Sequence, residues 1–389
     1  MQIHTRKTRF GFALCLSVLS LSACGPWSSD SESSKSSPST SARSTPVTKF
    51  DLANGCYRLQ PQGGSGFVGL SENAWIANAP SAKAALFYMK PTALAQYLLH
   101  DTSGQMLSGQ AGQISSVARA SDAANWTLAT VNPSQYTLNL SSQGQFLAAA
   151  STGALSLASA PTIFNFVVAS GCKPYPEISD DMIGEAHRGQ GVDKPVIGFA
   201  EVHTHMAMGH EMSDGSSLVG PSAGGVMYGQ MFHRFGVPHA MDNCEDWHGP
   251  NGIRDPEALV LDLKPLTTHE TGGWPGFVSW PAYDSQLHQA MYYKWVERAW
   301  KAGMRIMVSE GTNIAALCEV GRLAVLRPDA DCNDMSLGIK QVKYLFDLQN
   351  YVDAQEGGPG KGWFRIVTSP KMAREVINEG KLAVVAGLE

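Results

Sequence analysis

Tyr57-Arg-Leu59, Tyr97-Leu-Leu99 and Tyr136-Thr-Leu138 begin 40 and 39 residues apart, and they decide how the first half of the chain is read. Two further sets of anchors return in step with them. Phe67, Met106 and Phe146 lie 39 and 40 residues apart, as do Phe87, Trp126 and Phe166. Large apolar anchors that recur three times at one interval mark three copies of a structural unit. From Leu52 to Cys172 the chain is a series of short apolar runs broken by Gly, Ser, Asn and Pro, the pattern of strands joined by turns.

Three copies of about four short strands suit a β-trefoil, and this region resembles trefoil domains of the fascin-like and ricin-like kind. The resemblance implies a threefold barrel whose two ends meet. Cys56 and Cys172 stand at those ends, so a disulfide clasp between them is expected. Sugar-binding trefoils of the ricin kind carry Gln-x-Trp in each repeat, and this sequence has none. The repeated aromatics are therefore read as core. A glycan or protein ligand of the trefoil is kept as a candidate partner.

Upstream, Arg6, Lys7 and Arg9 precede an apolar run from Phe10 to Leu21, the arrangement of an export signal. The run ends in Leu21-Ser22-Ala23-Cys24, which resembles the lipobox of bacterial lipoproteins. That resemblance implies cleavage after residue 23 and acyl chains, palmitate among them, on Cys24. Partners and location follow as a membrane reached through a lipid anchor in the bacterial cell envelope. Residues 24–50 are dominated by Ser, Thr and Pro and are expected to be a flexible tether.

The whole chain has 389 residues, 29 Lys+Arg against 34 Asp+Glu and a net charge of -5, so no basic stripe is available for nucleic acid. With 43% hydrophobic and 16% charged residues it can bury a large core. Seven cysteines are too few for a disulfide-built scaffold, but an oxidising compartment permits bridges. Cys318 and Cys332 bracket an insertion and form the second candidate disulfide, which leaves Cys244 as the odd thiol.

After a Pro-rich linker over residues 173–194 the pattern alternates between strand and helix. Strands are expected at 195–202, 304–308, 363–367 and 382–388, with helices at 283–302, 336–354 and 369–378. Alternation implies a parallel sheet, and the expected fold of residues 195–389 is part of a TIM-type (β/α)8 barrel. The first strand ends in Glu201-Val202-His203-Thr204-His205. Residues two apart on a strand share a face, so both imidazoles point to one mouth, and two neutral imidazoles suit zinc.

His-x-His at the end of a first strand resembles the amidohydrolase superfamily of metal-dependent hydrolases. Gly380-Lys-Leu-Ala-Val-Val-Ala-Gly-Leu-Glu389 resembles the membrane-dipeptidase strand that ends in a metal-bridging glutamate. The resemblance implies metal ligands His203, His205 and Glu389, two divalent ions (zinc by the donor types) in the full-length protein, and a metal-bound hydroxide acting on an amide, ester or related bond. The substrate class is a small molecule or a peptide-like compound. Dipeptidases carry Asp where His205 stands, so dipeptides are not the expected substrate. Trp280-Pro-Ala-Tyr-Asp-Ser-Gln-Leu-His288 resembles bacterial secreted relatives. Only four strand–helix units fit before residue 389, so the barrel is expected to continue beyond it and the fragment to be inactive, with its catalytic proton-transfer group unknown.

The rival from another class is a surface binding lipoprotein, with a trefoil binding module and a non-catalytic barrel scaffold. The long stretch from Met206 to Pro281 holds His210, Glu211, Asp214, His233, His239, Cys244, Glu245, Asp246, His248 and His269 as candidate lid residues.

Overall fold

The computed structural model describes residues 45–72, 74–208, 229–241, 243, 288–316, 318–319 and 331–389. Cys24 and the export signal, most of the tether, Cys244 and most of the 206–281 stretch lie outside the described residues. Residues 44–389 form one compact unit.

Each 40-residue repeat contributes four strands. The first holds β1 (Cys56–Pro61), β2 (Phe67–Ser71), β3 (Ala74–Ala79) and β4 (Phe87–Ala93). The second holds β5 (Gln96–His100), β6 (Met106–Gln110), β7 (Gln113–Val117) and β8 (Trp126–Asn132). The third holds β9 (Gln135–Leu140), β10 (Gln145–Ala149), β11 (Leu155–Ala158) and β12 (Phe164–Val168). The outer strands of the repeats close on themselves: β1 pairs with β4, β4 with β5, β5 with β8, β8 with β9, β9 with β12, and β12 returns to β1. The inner strands pair as hairpins β2–β3, β6–β7 and β10–β11. A closed six-strand barrel with one hairpin per repeat is a β-trefoil-like fold.

The anchors occupy equivalent places: Tyr57, Tyr97 and Tyr136 on β1, β5 and β9, and Phe87, Trp126 and Phe166 at the starts of β4 and β8 and within β12. All six are buried in one core with Leu59, Leu99 and Leu138. A buried tyrosine must still satisfy its hydroxyl. The three phenols do so on one segment: Tyr57 donates to Asp51 O at 3.4 Å, Tyr97 to Lys49 O at 2.6 Å and Tyr136 to Thr48 O at 3.1 Å. Ser134 N also donates to Pro46 O. The last residues assigned to the tether by composition are therefore part of the fold, held to the barrel by the threefold tyrosines. Cys56 and Cys172 form a disulfide across its ends, with Cα atoms 5.6 Å apart.

The linker is not a free joint. His100 Nδ1 lies 3.0 Å from Lys173 O, Glu177 accepts hydrogen bonds from the Tyr292 and Tyr293 hydroxyls, and Asp180 and Asp181 pair with Lys301 and Arg298. It runs as a strap between the two halves. A short helix α1 (Val237–Ala240) sits beside the trefoil, where His239 Nε2 meets Ala120 O at 3.1 Å.

The second half has β13 (Phe199–Thr204), α2 (Tyr293–Lys301), β14 (Met304–Gly311), α3 (Asp334–Gln355), β15 (Phe364–Ile366), α4 (Pro370–Asn378) and β16 (Leu382–Leu388). Ser369 caps α4 by accepting from Met372 N at 3.2 Å, with Pro370 in its first turn, and Gly380 turns the chain at φ 81°. The strands are parallel in the order β13-β14-β16-β15.

This arrangement corrects the barrel expectation twice over. A barrel runs its strands in sequence order, whereas here β15 lies outside β16. A barrel also keeps every helix outside. On β16, Leu382 and Val384 pack with α2 and α3, while Ala383 between them packs with α4 residues Ala373, Val376 and Ile377. Alternate strand residues face opposite sides, so α4 covers the face that a barrel would enclose. The described residues form an open sheet with helices on both faces.

Candidate functional site

The chemistry-bearing groups gather at the C-terminal edge of that sheet. On β14, Met307 belongs to the core with α3, and the strand period of two puts Val308 and Glu310 on the opposite face. On β13, Thr204 is buried and its hydroxyl donates to Val308 O at 2.9 Å, which turns His203 and His205 outward to the same side as Glu310. Glu389 follows β16, and its backbone N–H donates to Gly311 O at 3.0 Å.

His203 Nε2 and His205 Nε2 are 2.9 Å apart, and Glu389 Oε2 lies 3.3 Å from the first and 3.2 Å from the second. Four donors about 2.0–2.1 Å from a tetrahedral zinc stand about 3.3 Å from one another. The three atoms thus have the spacing of one face of such a tetrahedron. They are the only group of three His, Cys, Asp or Glu side chains with ligand atoms within 4.8 Å of one another among the described residues.

Supporting contacts orient the set. His205 Nδ1 lies 3.1 Å from Glu310 O, so in the tautomer that donates to this carbonyl the Nε2 lone pair is left for a cation. His203 N donates to Glu201 Oε1 at 3.3 Å. Glu310 Oε2 lies 3.6 Å from His203 Nε2. A Cβ at Gly387 would come within 3.1 Å of Glu310 Cγ, so the glycine gives this side chain room to lie over β16. The set is open to solvent: the side chains of His203 and Glu389 are 56% and 53% exposed, those of His205 and Glu310 27% and 25%.

The structure therefore brings His203, His205 and Glu389 around a single point. The two-ion arrangement expected from the dipeptidase resemblance has one donor cluster here, and no second one among the described residues. Glu310 is not part of any motif quoted from the sequence, and Glu201 enters there only as the first residue of the strand end that carries the two histidines. The strand period puts Glu310 on one face with Val308, and the pairing of Thr204 with Ser309 makes that the face of the histidines. Of the candidate lid residues, His233 and His239 are described, and their rings stack 5.0 Å apart beside Phe235. His288 is buried. Cys318 and Cys332 are joined in a disulfide, with Cα atoms 5.5 Å apart.

No family model and no curated protein matches this chain. The likenesses to solved structures lie in the trefoil. SeviL, described as bound to asialo-GM1 saccharide, is 15% identical with a TM-score of 0.27, over 30% of this chain and 98% of that one. A designed threefold-symmetric protein, ThreeFoil, is 14% identical with a TM-score of 0.23, over 30% of this chain and 91% of that one. A GH43 β-1,3-galactosidase is 16% identical with a TM-score of 0.28, over 32% of this chain and 29% of that one. The trefoil-like fold stands on the strand pairing itself.

Proposed function

We propose that this chain is an envelope-anchored protein that pairs a trefoil binding module with a divalent-metal centre built from His203, His205 and Glu389. The observation that carries the metal centre is the triangle of donor atoms with edges of 2.9, 3.2 and 3.3 Å. Two imidazoles and one carboxylate with a fourth position left over are the donor set of catalytic rather than structural zinc sites. That supports hydrolysis of an amide, ester or related bond as the finer reading. A divalent ion held there would supply Lewis acidity and lower the pKa of bound water. Glu310 O lies 3.1 Å from His205 Nδ1 and orients that ring, and Glu310 Oε2, 3.6 Å from His203 Nε2, would be the carboxylate within reach of the reacting groups.

One observation favours the second reading, a binding lipoprotein whose sheet is a scaffold. The trefoil is a completed, clasped barrel, whereas two of the three donors are more than half exposed on an open sheet face.

Equilibrium dialysis of the full chain against Zn²⁺, followed by metal analysis, tests the centre. One bound ion in the wild type and none in His203→Ala/His205→Ala is the expected result, and equal stoichiometry in both would remove it. Bound metal without turnover of amide or ester substrates would leave the scaffold reading. Anchorage is tested by detergent partitioning: Cys24→Ser is expected to lose the hydrophobic fraction, and unchanged partitioning would end the lipoprotein reading.

A further inference from the structure

A cavity of about 170 Å³ lies between the trefoil and the sheet half. It shares no residue with the metal centre. Lys90 of β4 enters it from the trefoil, Glu177 from the strap, Lys294 and Glu297 from α2, Glu356 from the end of α3, and Trp363 from the residue before β15. We propose that this cavity is a binding site for a small, neutral, polyhydroxylated ligand of monosaccharide size.

The walls are fixed before any ligand arrives. Lys90 is 3% exposed, and its ammonium donates to Pro91 O at 3.1 Å, Tyr351 OH at 2.7 Å and Gln355 Oε1 at 2.9 Å. The Glu177 carboxylate is held by the phenols of Tyr292 at 2.8 Å and Tyr293 at 3.0 Å. Such supported charges cost no reordering when a ligand binds. The volume suits a single six-membered ring, since a cavity of about 150 Å³ accepts benzene.

Ligand class follows from the wall chemistry. An apolar ring would leave two ammoniums and three carboxylates facing it, at a high desolvation cost. Lys294 and Glu297 form an ion pair at 2.5 Å, placing a donor and an acceptor side by side. A hydroxyl both donates and accepts, so neighbouring hydroxyls satisfy such a pair, whereas an anion or cation satisfies half of it and is repelled by the other. Burial and the nearby Glu297 carboxylate raise the Glu356 pKa. Because five separate segments meet here, an occupant would tie the trefoil to the sheet half.

The test titrates the full chain with glucose, galactose and N-acetylglucosamine, with zwitterionic glycine and anionic glucuronate as controls, by ligand-observed NMR. At least one neutral sugar is expected to bind, with affinity lowered tenfold or more in Lys294→Ala and in Glu356→Ala. Glu356→Gln, which keeps an acceptor, is expected to retain most of it. Circular dichroism identifies any variant that fails to fold, and the reading is then taken from the other position. Sugar binding unaffected by both alanine variants would place the site elsewhere, as on the trefoil surface, and overturn the proposal. Binding of glycine or glucuronate alone would overturn the ligand class, and binding of no probe would reduce the cavity to ordered water and overturn the proposal outright.

Discussion

Replacing Cys56 and Cys172 together by serine should destabilise the protein more than replacing Cys318 and Cys332. The two bonds close loops of very different length, with sequence separations of 116 and 14. In the chain-entropy treatment the first restricts the unfolded chain by about 4.8 kcal/mol and the second by about 3 kcal/mol, a difference of about 2 kcal/mol. The native state has no reason to offset that difference at the longer loop. β1 and β12 already pair from Tyr57↔Val168 to Pro61↔Phe164, so the two cysteines stay adjacent without the bond and the loss falls on the unfolded state. The assay is urea unfolding of wild type and both double variants under oxidising conditions, with midpoint and slope fitted separately. A loss for the Cys56/Cys172 pair no larger than for Cys318/Cys332, at equal slopes, would refute the loop-length reasoning.

The threefold tyrosines yield a graded expectation. Tyr57→Phe, Tyr97→Phe and Tyr136→Phe should each cost about 1 kcal/mol, one net hydrogen bond, and the triple variant should expose residues 46–50 to proteolysis; an uncut triple variant would show that other contacts hold the segment. Lys90 gives a signed pH dependence. Burial pushes its ammonium down to about 8 from an ordinary 10.5, so between those values the unfolded chain binds more protons and stability rises with pH, by about 3 kcal/mol in all. Lys90→Met should remove that rise while leaving the trend below pH 8 alone, and an unchanged alkaline slope would contradict it. Zinc affinity should fall on acidification, because a coordinating imidazole must be neutral; titrations at pH 8 and pH 5.5 that gave equal affinity would speak against histidine ligation.

Chain-local information sufficed for the trefoil, because its signal is repetition. An equivalent position in each unit meets the same core, so Tyr57, Tyr97 and Tyr136 carry the interval on their own. Most strands and helices of the second half were legible for a related reason: caps such as Ser369-Pro370 and apolar runs such as 382–388 are short-range features, whereas the expected strand at 195–202 is found at Phe199–Thr204 and the expected helix at 283–302 begins only at Tyr293, after an extended Tyr292. His203 and His205 are separated by one strand period, so their shared face follows from the strand alone.

What the tertiary structure alone decided was placement. Strand order depends on which edges meet, and nothing local to β15 says that it lies outside β16 and not between β14 and β16. The side taken by α4 depends on which face of Ala383 and Ile306 remains uncovered, and this replaced the enclosed barrel with an open sheet. Glu310 joined the histidines only once β14 and β13 were in register. The cluster of buried Lys90 and Tyr351 with half-buried Gln355 joins residues more than 260 positions apart. Periodicity reports the environment a residue needs; only packing of the whole chain determines which distant residue provides it.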